Sequence, residues 1–276
     1  MANTNLTKTT TPSTIDVLRG FFSTDRARNN LKEMLGQKAQ GFATSVLSCV
    51  TNNRLLQNAE PKTIYSSAMV AASLDLPINP NLGFAAIVPY GKQAQFQIMS
   101  KGFVQLAIRS GMYERITNAI VHKGELVKYD PFKDEYVFDA SKREGDEIIG
   151  YMAYFRTVGG FEKYFYMTKD EALAHGKKYS KSFANGTWAT DPDAMCLKTV
   201  IKLLLSKYGI LSVDMQRAIR FDQGFVSSDL SKMDDLSQID EAEVEYLDNA
   251  EEANEEEEKK KVAQKFEDFD KDNANN

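Results

Sequence analysis

Apolar residues first recur at helical spacing, then alternate, then return to helical spacing. Ile15–Phe22 fits one or two helical turns. Asp25 opens a second helix through Leu31, Met34 and Leu35 that Gly36 ends. Ala39–Thr51 and Pro61–Leu76 read as two more, the latter with proline in its first turn. Pro77, Pro80 and Gly83 then make a rigid connector, because proline fixes φ and restricts the residue before it. Phe84–Val88 is a short apolar run and Tyr90-Gly91-Lys92 a turn. Gln93–Met99 alternates strictly, with Ala94, Phe96 and Ile98 on one face and Gln93, Gln95 and Gln97 on the other.

Ser100 sits where a helix N-cap belongs and Gly111 where a helix ends. In the helix between them, at about 100° per residue, Lys101, Gln105 and Arg109 fall on one polar stripe. Gly102 lies beside the stripe, and Phe103, Val104, Leu106, Ala107 and Ile108 fill the other side. A strand with a glutamine face thus feeds a helix with a basic face, whose N-terminal amides favour an anion.

After Gly111 the pattern is β: Arg115–His122, Glu125–Tyr129, Tyr136–Ala140, Ile148–Thr157 and Gly160–Met167, with a hairpin signal at Val158-Gly159-Gly160. Aromatics such as Tyr151, Tyr154, Phe155 and Tyr164 are either a sheet core or a stacking platform for bases. Thr168 or Asp170 caps a short helix, Glu171–His175. A basic loop, Gly176-Lys177-Lys178-Tyr179-Ser180-Lys181, follows it. Asp191 as N-cap, Pro192 as first residue and Gly209 at C′ bound the clearest helix. On it, Lys198 and Lys202 are four apart and read as one exposed face. Val213–Phe221, with Arg217 and Arg220, is the last helix.

Charge changes this picture. The net of −5 averages two unlike parts: from Val226 onward 6 Lys face 18 Asp and Glu, a net of −12, which leaves +7 for residues 1–225. A basic body with an acidic tail suggests a polyanion partner, the tail acting as competitor, docking arm or solubility element. A hydrophobic content of 42% supports a sizeable core. Cys49 and Cys196 sit in apolar helical patterns and read as buried free thiols. No apolar run nears the ~20 residues that span a bilayer, and the N-terminus lacks a signal-peptide pattern, so the expected location is the cytoplasm.

Candidates for chemistry are sparse. His122 and His175 have no partner at metal-ligand spacing. Gly176-Lys177 and Gly91-Lys92 both lack the first glycine of a phosphate-binding GxxxxGK[ST] loop, Glu171 and Ala86 standing there. Asp146-Glu147 and Asp191/Asp193 are better read as turn and cap residues than as a two-metal site. Trp188 is a hydrophobic staple or a stacking residue, and Arg26, Arg28 and Lys32 a solvated or DNA-facing run.

Two sets of residues resemble a known family. Leu76-Pro77-Ile78-Asn79-Pro80, Gly83, Val88-Pro89-Tyr90, Phe96-Gln97-Ile98, Lys101-Gly102 and Leu106-Ala107-x-Arg109-Ser110-Gly111 form the first. Trp188-x-Thr190-Asp191, Met195 and Lys198-Thr199-Val200-Ile201-Lys202 form the second. Together they resemble the RecT family of phage single-strand annealing proteins, collinearly over most of 15–225 and not in the acidic tail. The sequence departs at Met99-Ser100, where the family commonly has Gly-Tyr. The resemblance implies ATP-independent pairing of complementary strands in homologous recombination. It further implies an oligomer, ring or helical filament, on single-stranded DNA, a partner exonuclease, a host single-strand binding protein, no cofactor and a bacterial host cell. It also implies an α+β fold in which an antiparallel sheet packs on a long helix.

The expected layout is a disordered 1–14, a core over 15–225 (helical to 76, α+β from 77) and a flexible acidic 226–276. Lys101, Arg109, Lys198 and Lys202 match basic positions of the motifs and are expected on two sides of one groove. Gln93, Gln95, Gln97, Gln105, Lys92, Arg115, Lys177 and Lys178 complete the expected DNA contacts to single strand and annealed duplex. The alternatives are a metal-dependent DNA-cleaving enzyme, or an oligomeric scaffold docking a partner through its tail.

Overall fold

A computed structural model describes residues 12–79, 81–180, 183–184, 187–233 and 236–246. In chain order the helices and strands begin with α1 (Thr14–Ser23), α2 (Asp25–Leu35), α3 (Ala39–Thr51), α4 (Arg54–Gln57) and α5 (Pro61–Ser73). There follow β1 (Ala85–Tyr90), β2 (Gln93–Ile98), α6 (Ser100–Arg109), β3 (Tyr113–His122), β4 (Leu126–Asp130) and β5 (Glu135–Phe138). Then come β6 (Ile148–Thr157), β7 (Glu162–Thr168), α7 (Lys169–Tyr179), α8 (Thr187–Thr190), α9 (Pro192–Tyr208), α10 (Val213–Phe221), β8 (Gly224–Val226) and β9 (Val244–Tyr246). The fold is α+β with antiparallel strand pairing in the sheets of both units, as expected.

The chain divides into two compact units, one from the N-terminal residues to Gly111 with Leu211–Glu245, the other built on Met112–Ile210. The division falls at Gly111 and Leu211, because the N-terminal helices share a core with the first hairpin. In this unit α5 is buried continuously from Thr63 to Ala72. A helix buried on all sides is a central one. Its hydroxyls bind the β2 backbone: Thr63 Oγ1 accepts from Ala94 N at 2.9 Å, and Ser67 Oγ donates to Ala94 O at 3.1 Å. Further along, Asp222 accepts from Ile98 N (3.1 Å) and Gln223 N donates to Phe96 O (3.0 Å). The β2 edge away from β1 is therefore satisfied by side chains and loop backbone.

In the other unit the sheet order is β3-β6-β7. One face of β6, with Tyr151, Ala153 and Phe155 fully buried, packs on the 17-residue α9. The other face carries Val121, Met152 and Tyr166, and the β4–β5 hairpin covers it through Leu126 and Tyr136. This is the expected sheet on a long helix. Helix α9 begins as its sequence dictates, Asp191 accepting from Ala194 N at 3.1 Å with Pro192 first. Gly209 ends it in an extended conformation (φ −77°), not the left-handed one of a C′ glycine.

Three further expectations are corrected. Helix α6 is capped at Met99, with Ser100 its first residue, so no side chain caps it. The basic loop expected at 176–181 is, as far as Tyr179, the last turn of α7, which runs from Lys169 behind the Thr168–Glu171 capping box and not only over 171–175. The acidic segment from Val226 folds as far as Tyr246: Leu230, Ile239 and Ala242 are buried, and β8 pairs with β9. The expected tail beyond Tyr246, and residues 1–11 of the segment 1–14 expected to be disordered, lie outside the described residues, whereas Ser13 caps α1 and Thr14 opens it. Among the described residues no helix is long and apolar enough to cross a membrane.

Candidate nucleic-acid interface

The α6 stripe is positioned by the end of α5. Helix α5 stops in a Schellman arrangement: Leu76 N donates to Ala71 O at 3.0 Å and Asp75 N to Ala72 O at 2.9 Å. The left-handed residue this turn requires is Asp75 (φ 46°) instead of glycine. Its carboxylate binds Lys38 at 2.8 Å and lies 3.6 Å from Arg109. The Arg109 guanidinium also donates to the carbonyls of Leu74 and Asp75. Arg109, expected on a DNA-facing stripe, is therefore a clamp on the C-terminus of α5, its side chain 28% exposed.

Gln105 and Arg109 line a cavity of about 550 Å³ with Lys38 and the connector residues Leu76, Pro77 and Ile78. Lys101 is exposed at the other end of the stripe, near Gly83. The stripe thus runs along the connector, holding it at one end and presenting a lysine at the other. Gly102 serves packing: a Cβ there would stand 2.6 Å from Ile98 Cγ1 and closer still to the Phe84 carbonyl oxygen.

The glutamine face is not a surface. Gln95 and Gln97 are 5% and 9% exposed, and only Gln93 is half-buried, since β2 is packed on both sides. Gln95 Oε1 has no hydrogen-bond partner in this packing. The α9 face is also corrected: Lys198 is 3% exposed and Lys202 half-buried, because α9 packs against both the sheet and α7. Lys101 and Arg109 belong to one unit, Lys198 and Lys202 to the other. Lys92, Lys101, Arg115, Lys177 and Lys178 are exposed, Lys178 with its ammonium 4.7 Å from the Tyr179 ring.

The remaining candidates for chemistry take structural roles. Tyr151 donates to Asp193 at 2.6 Å, and burial, then this bond, pushes its hydroxyl far above the ordinary tyrosine value. Burial raises the Cys196 thiol to about 11. Trp188 is buried against Gly176, where a Cβ would meet its ring at 2.7 Å, so it is a packing residue. Tyr154 and Tyr164 are half-buried, their rings 4.5 Å apart, and burial with a bond to Glu162 raises the Tyr154 hydroxyl to about 12. His122 Nδ1 faces Glu125 at 3.3 Å, and among the described residues no three His, Cys, Asp or Glu side chains converge on a metal-holding arrangement.

The charge split is smaller than the sequence suggests. Residues 226–246 carry 1 Lys and 7 Asp or Glu, so 1–246 nets only +1 and the remaining −6 falls in 247–276. Net charge alone therefore does not identify the ligand. By comparison with known proteins, residues 40–263 match the RecT family. The chain belongs to that family. The match reaches well past 225, so the acidic segment is partly inside it, contrary to the expectation above. Among curated relatives, an uncharacterized protein, YqaK of Bacillus subtilis (strain 168), is 46% identical over 235 residues, 85% of this chain and 82% of its own. Protein RecT of Escherichia coli (strain K12) is 27% identical over 177 residues, 61% of this chain and 65% of its own.

Lys38 and Asp75 were not visible as site residues, because 37 positions separate them and nothing local pairs them. Asp75 did carry one signal: the helix read as Pro61–Leu76 runs into Pro77 with no glycine to turn its end.

Proposed function

We propose that this RecT-family chain binds single-stranded DNA and anneals complementary strands without nucleotide hydrolysis, as an oligomeric ring or filament. The observation that supports it is the family match across 40–263, which takes in both motif blocks and the described fold after α1 and α2. Two polyanions repel, so annealing is helped by cations that neutralise both backbones while leaving bases exposed to find partners. The exposed Lys92, Lys101, Arg115, Lys177 and Lys178 suit such backbone contacts, and Lys202 is the α9 lysine left for this role. Arg109 is engaged at the end of α5, and Lys198, Gln95 and Gln97 are buried, so the proposed contacts do not include them. A partner exonuclease that exposes single strands, a host single-strand binding protein and a cytoplasmic site of action complete the reading. The test is annealing of fluorescent complementary oligonucleotides without ATP and with a chelator present. We expect acceleration over the protein-free rate in salt-matched buffer. A rate equal to the protein-free one overturns the reading.

A further inference from the structure

We infer that an uncharged pocket between α3 and the connector seats one nucleobase of a bound single strand, with Arg54 and Lys101 holding the phosphates beside it. The inference rests on the DNA-binding reading above and names the part of the strand that enters the protein. The pocket holds about 590 Å³ and its lining residues fall within 44–56 and 78–87. None of them is an acid or a base other than the thiol of Cys49. The nearest acidic residues along the chain are Glu33 and Glu60 around the first stretch, and Asp75 and Glu114 around the second. Glu60 pairs with Lys62, Asp75 with Lys38 and Arg109, and Glu114 with Arg156, while Glu33 lies eleven residues before the lining. Arg54 and Lys101 are exposed and have no ion-pair partner among the described residues. Arg54 directly follows the lining residue Asn53. Lys101 Cδ stands 3.7 Å from where a Cβ on Gly83 would be, two residues after the lining residue Asn81. Each wall therefore has an unpaired cation at its border and no carboxylate to compete with a phosphate.

The interior asks for a flat, neutral group with a polar edge. Leu56, Ile78 and Ile87 supply apolar wall, and Asn52, Asn53, Asn79 and Asn81 supply amides. Asn53 Oδ1 accepts from Leu55 N and Leu56 N, and Asn79 Oδ1 accepts from Asn81 N at 3.0 Å. Both carbonyls are committed to the backbone, so the Asn53 and Asn79 amide N–H groups remain to donate. Asn52 donates to Ser48 Oγ at 3.4 Å, which leaves its own oxygen as an acceptor. Apolar contact for a ring face, with donors and an acceptor for its edge, fits a nucleobase, whereas a phosphate finds no cation inside. A single strand gives up one base to such a pocket at the cost of local unstacking, but a duplex must also break a pair. The pocket therefore favours the unpaired strand and empties when the seated base finds its complement. One base held per copy leaves the neighbouring bases free to pair.

Cys49 reports on the pocket, because it lines it and is half-buried, while Cys196 is fully buried. The full-length protein is alkylated with N-ethylmaleimide, and the rate at Cys49 is read by mass spectrometry. It is read for the protein alone, with a short single strand of mixed sequence, and with an abasic strand of the same length. The abasic strand offers sugars and phosphates only, and fluorescence anisotropy measures the binding of both. We expect the base-bearing strand, at about ten times its dissociation constant, to slow alkylation about tenfold by mass action. The abasic strand should bind without protecting the thiol. Ser48→Trp, which fills the pocket from an exposed position on α3, should bring the two affinities together, with circular dichroism as the folding control. Equal protection by both strands overturns the inference, because it lays the backbone and not a base over the pocket. Binding of the base-bearing strand with Cys49 alkylated at the free rate also overturns it, and assigns the pocket to another occupant such as a partner's peptide segment. In both of these outcomes the strand still binds, so the DNA-binding reading stands. Absence of binding overturns the reading and the inference together. The alkylation needs no substitution, so a Ser48→Trp chain that fails to fold leaves that test in force.

Discussion

Asp75 occupies a left-handed conformation that costs an L-residue other than glycine about 1 kcal/mol. Lys38 and Arg109 offset that cost through its carboxylate, and Arg109 also satisfies two carbonyls of the helix end. Arg109→Ala should therefore lower stability by about 1–2 kcal/mol, because it removes charged donors from partly buried acceptors. Arg109→Lys should recover only part, an ammonium being unable to span carbonyl and carboxylate together. Urea unfolding checks this, and a midpoint unchanged in Arg109→Ala would contradict it. Gly102→Ala should cost about 1–3 kcal/mol, because the Phe84 backbone must move to admit a methyl group. The same titration measures it.

At the scale of elements, residues 226–246 clasp their unit through α10. Arg217 grips Asp240 with two bonds of 2.7 and 2.6 Å, and Arg220 donates to the Asp240 and Ala242 carbonyls. The Arg217 bond is the main reason that the Asp240 carboxyl lies below its ordinary value, with burial opposing. A depressed folded pKa contributes stability above the unfolded value, about 3.9, and loses it as pH falls through the folded value. Wild-type protein should therefore melt above Asp240→Asn at neutral pH, with the gap closing below about pH 4. A gap constant from pH 7 to pH 3 would show that the carboxylate charge does not matter there. The clasp also shows where sequence reading stopped. Helix α3, helix α10 and strand β6 lie where period, caps and glycines put them, since those signals are local. The burial of Gln95, Gln97 and Lys198 was not legible. Their pattern is that of half-exposed elements, and only the packing of β2 and α9 on a second side buries them. The acidic residues of 226–246 read as a tail because their anchors, Arg217 and Arg220, lie on another element.

For the whole molecule, the folded acidic segment changes what a truncation tests. Removing everything from Val226 would take away Leu230, Ile239 and the partner of Arg217, so weaker DNA binding could follow from unfolding alone. Ending the chain at Tyr246 removes 11 acidic and 5 basic residues and moves the net charge from −5 to +1 with the described core intact. We expect this shorter protein to keep its melting temperature and to bind single-stranded DNA more tightly at low salt, with the advantage shrinking as salt screens it. Lys101→Ala in the same background should weaken binding to all sequences alike and reduce the salt slope by about one per lost phosphate contact. Fluorescence anisotropy over a salt titration measures both. Equal affinity for the full and shortened chains across that range would remove the acidic end from any electrostatic competition with DNA, leaving solubility or partner docking as its role.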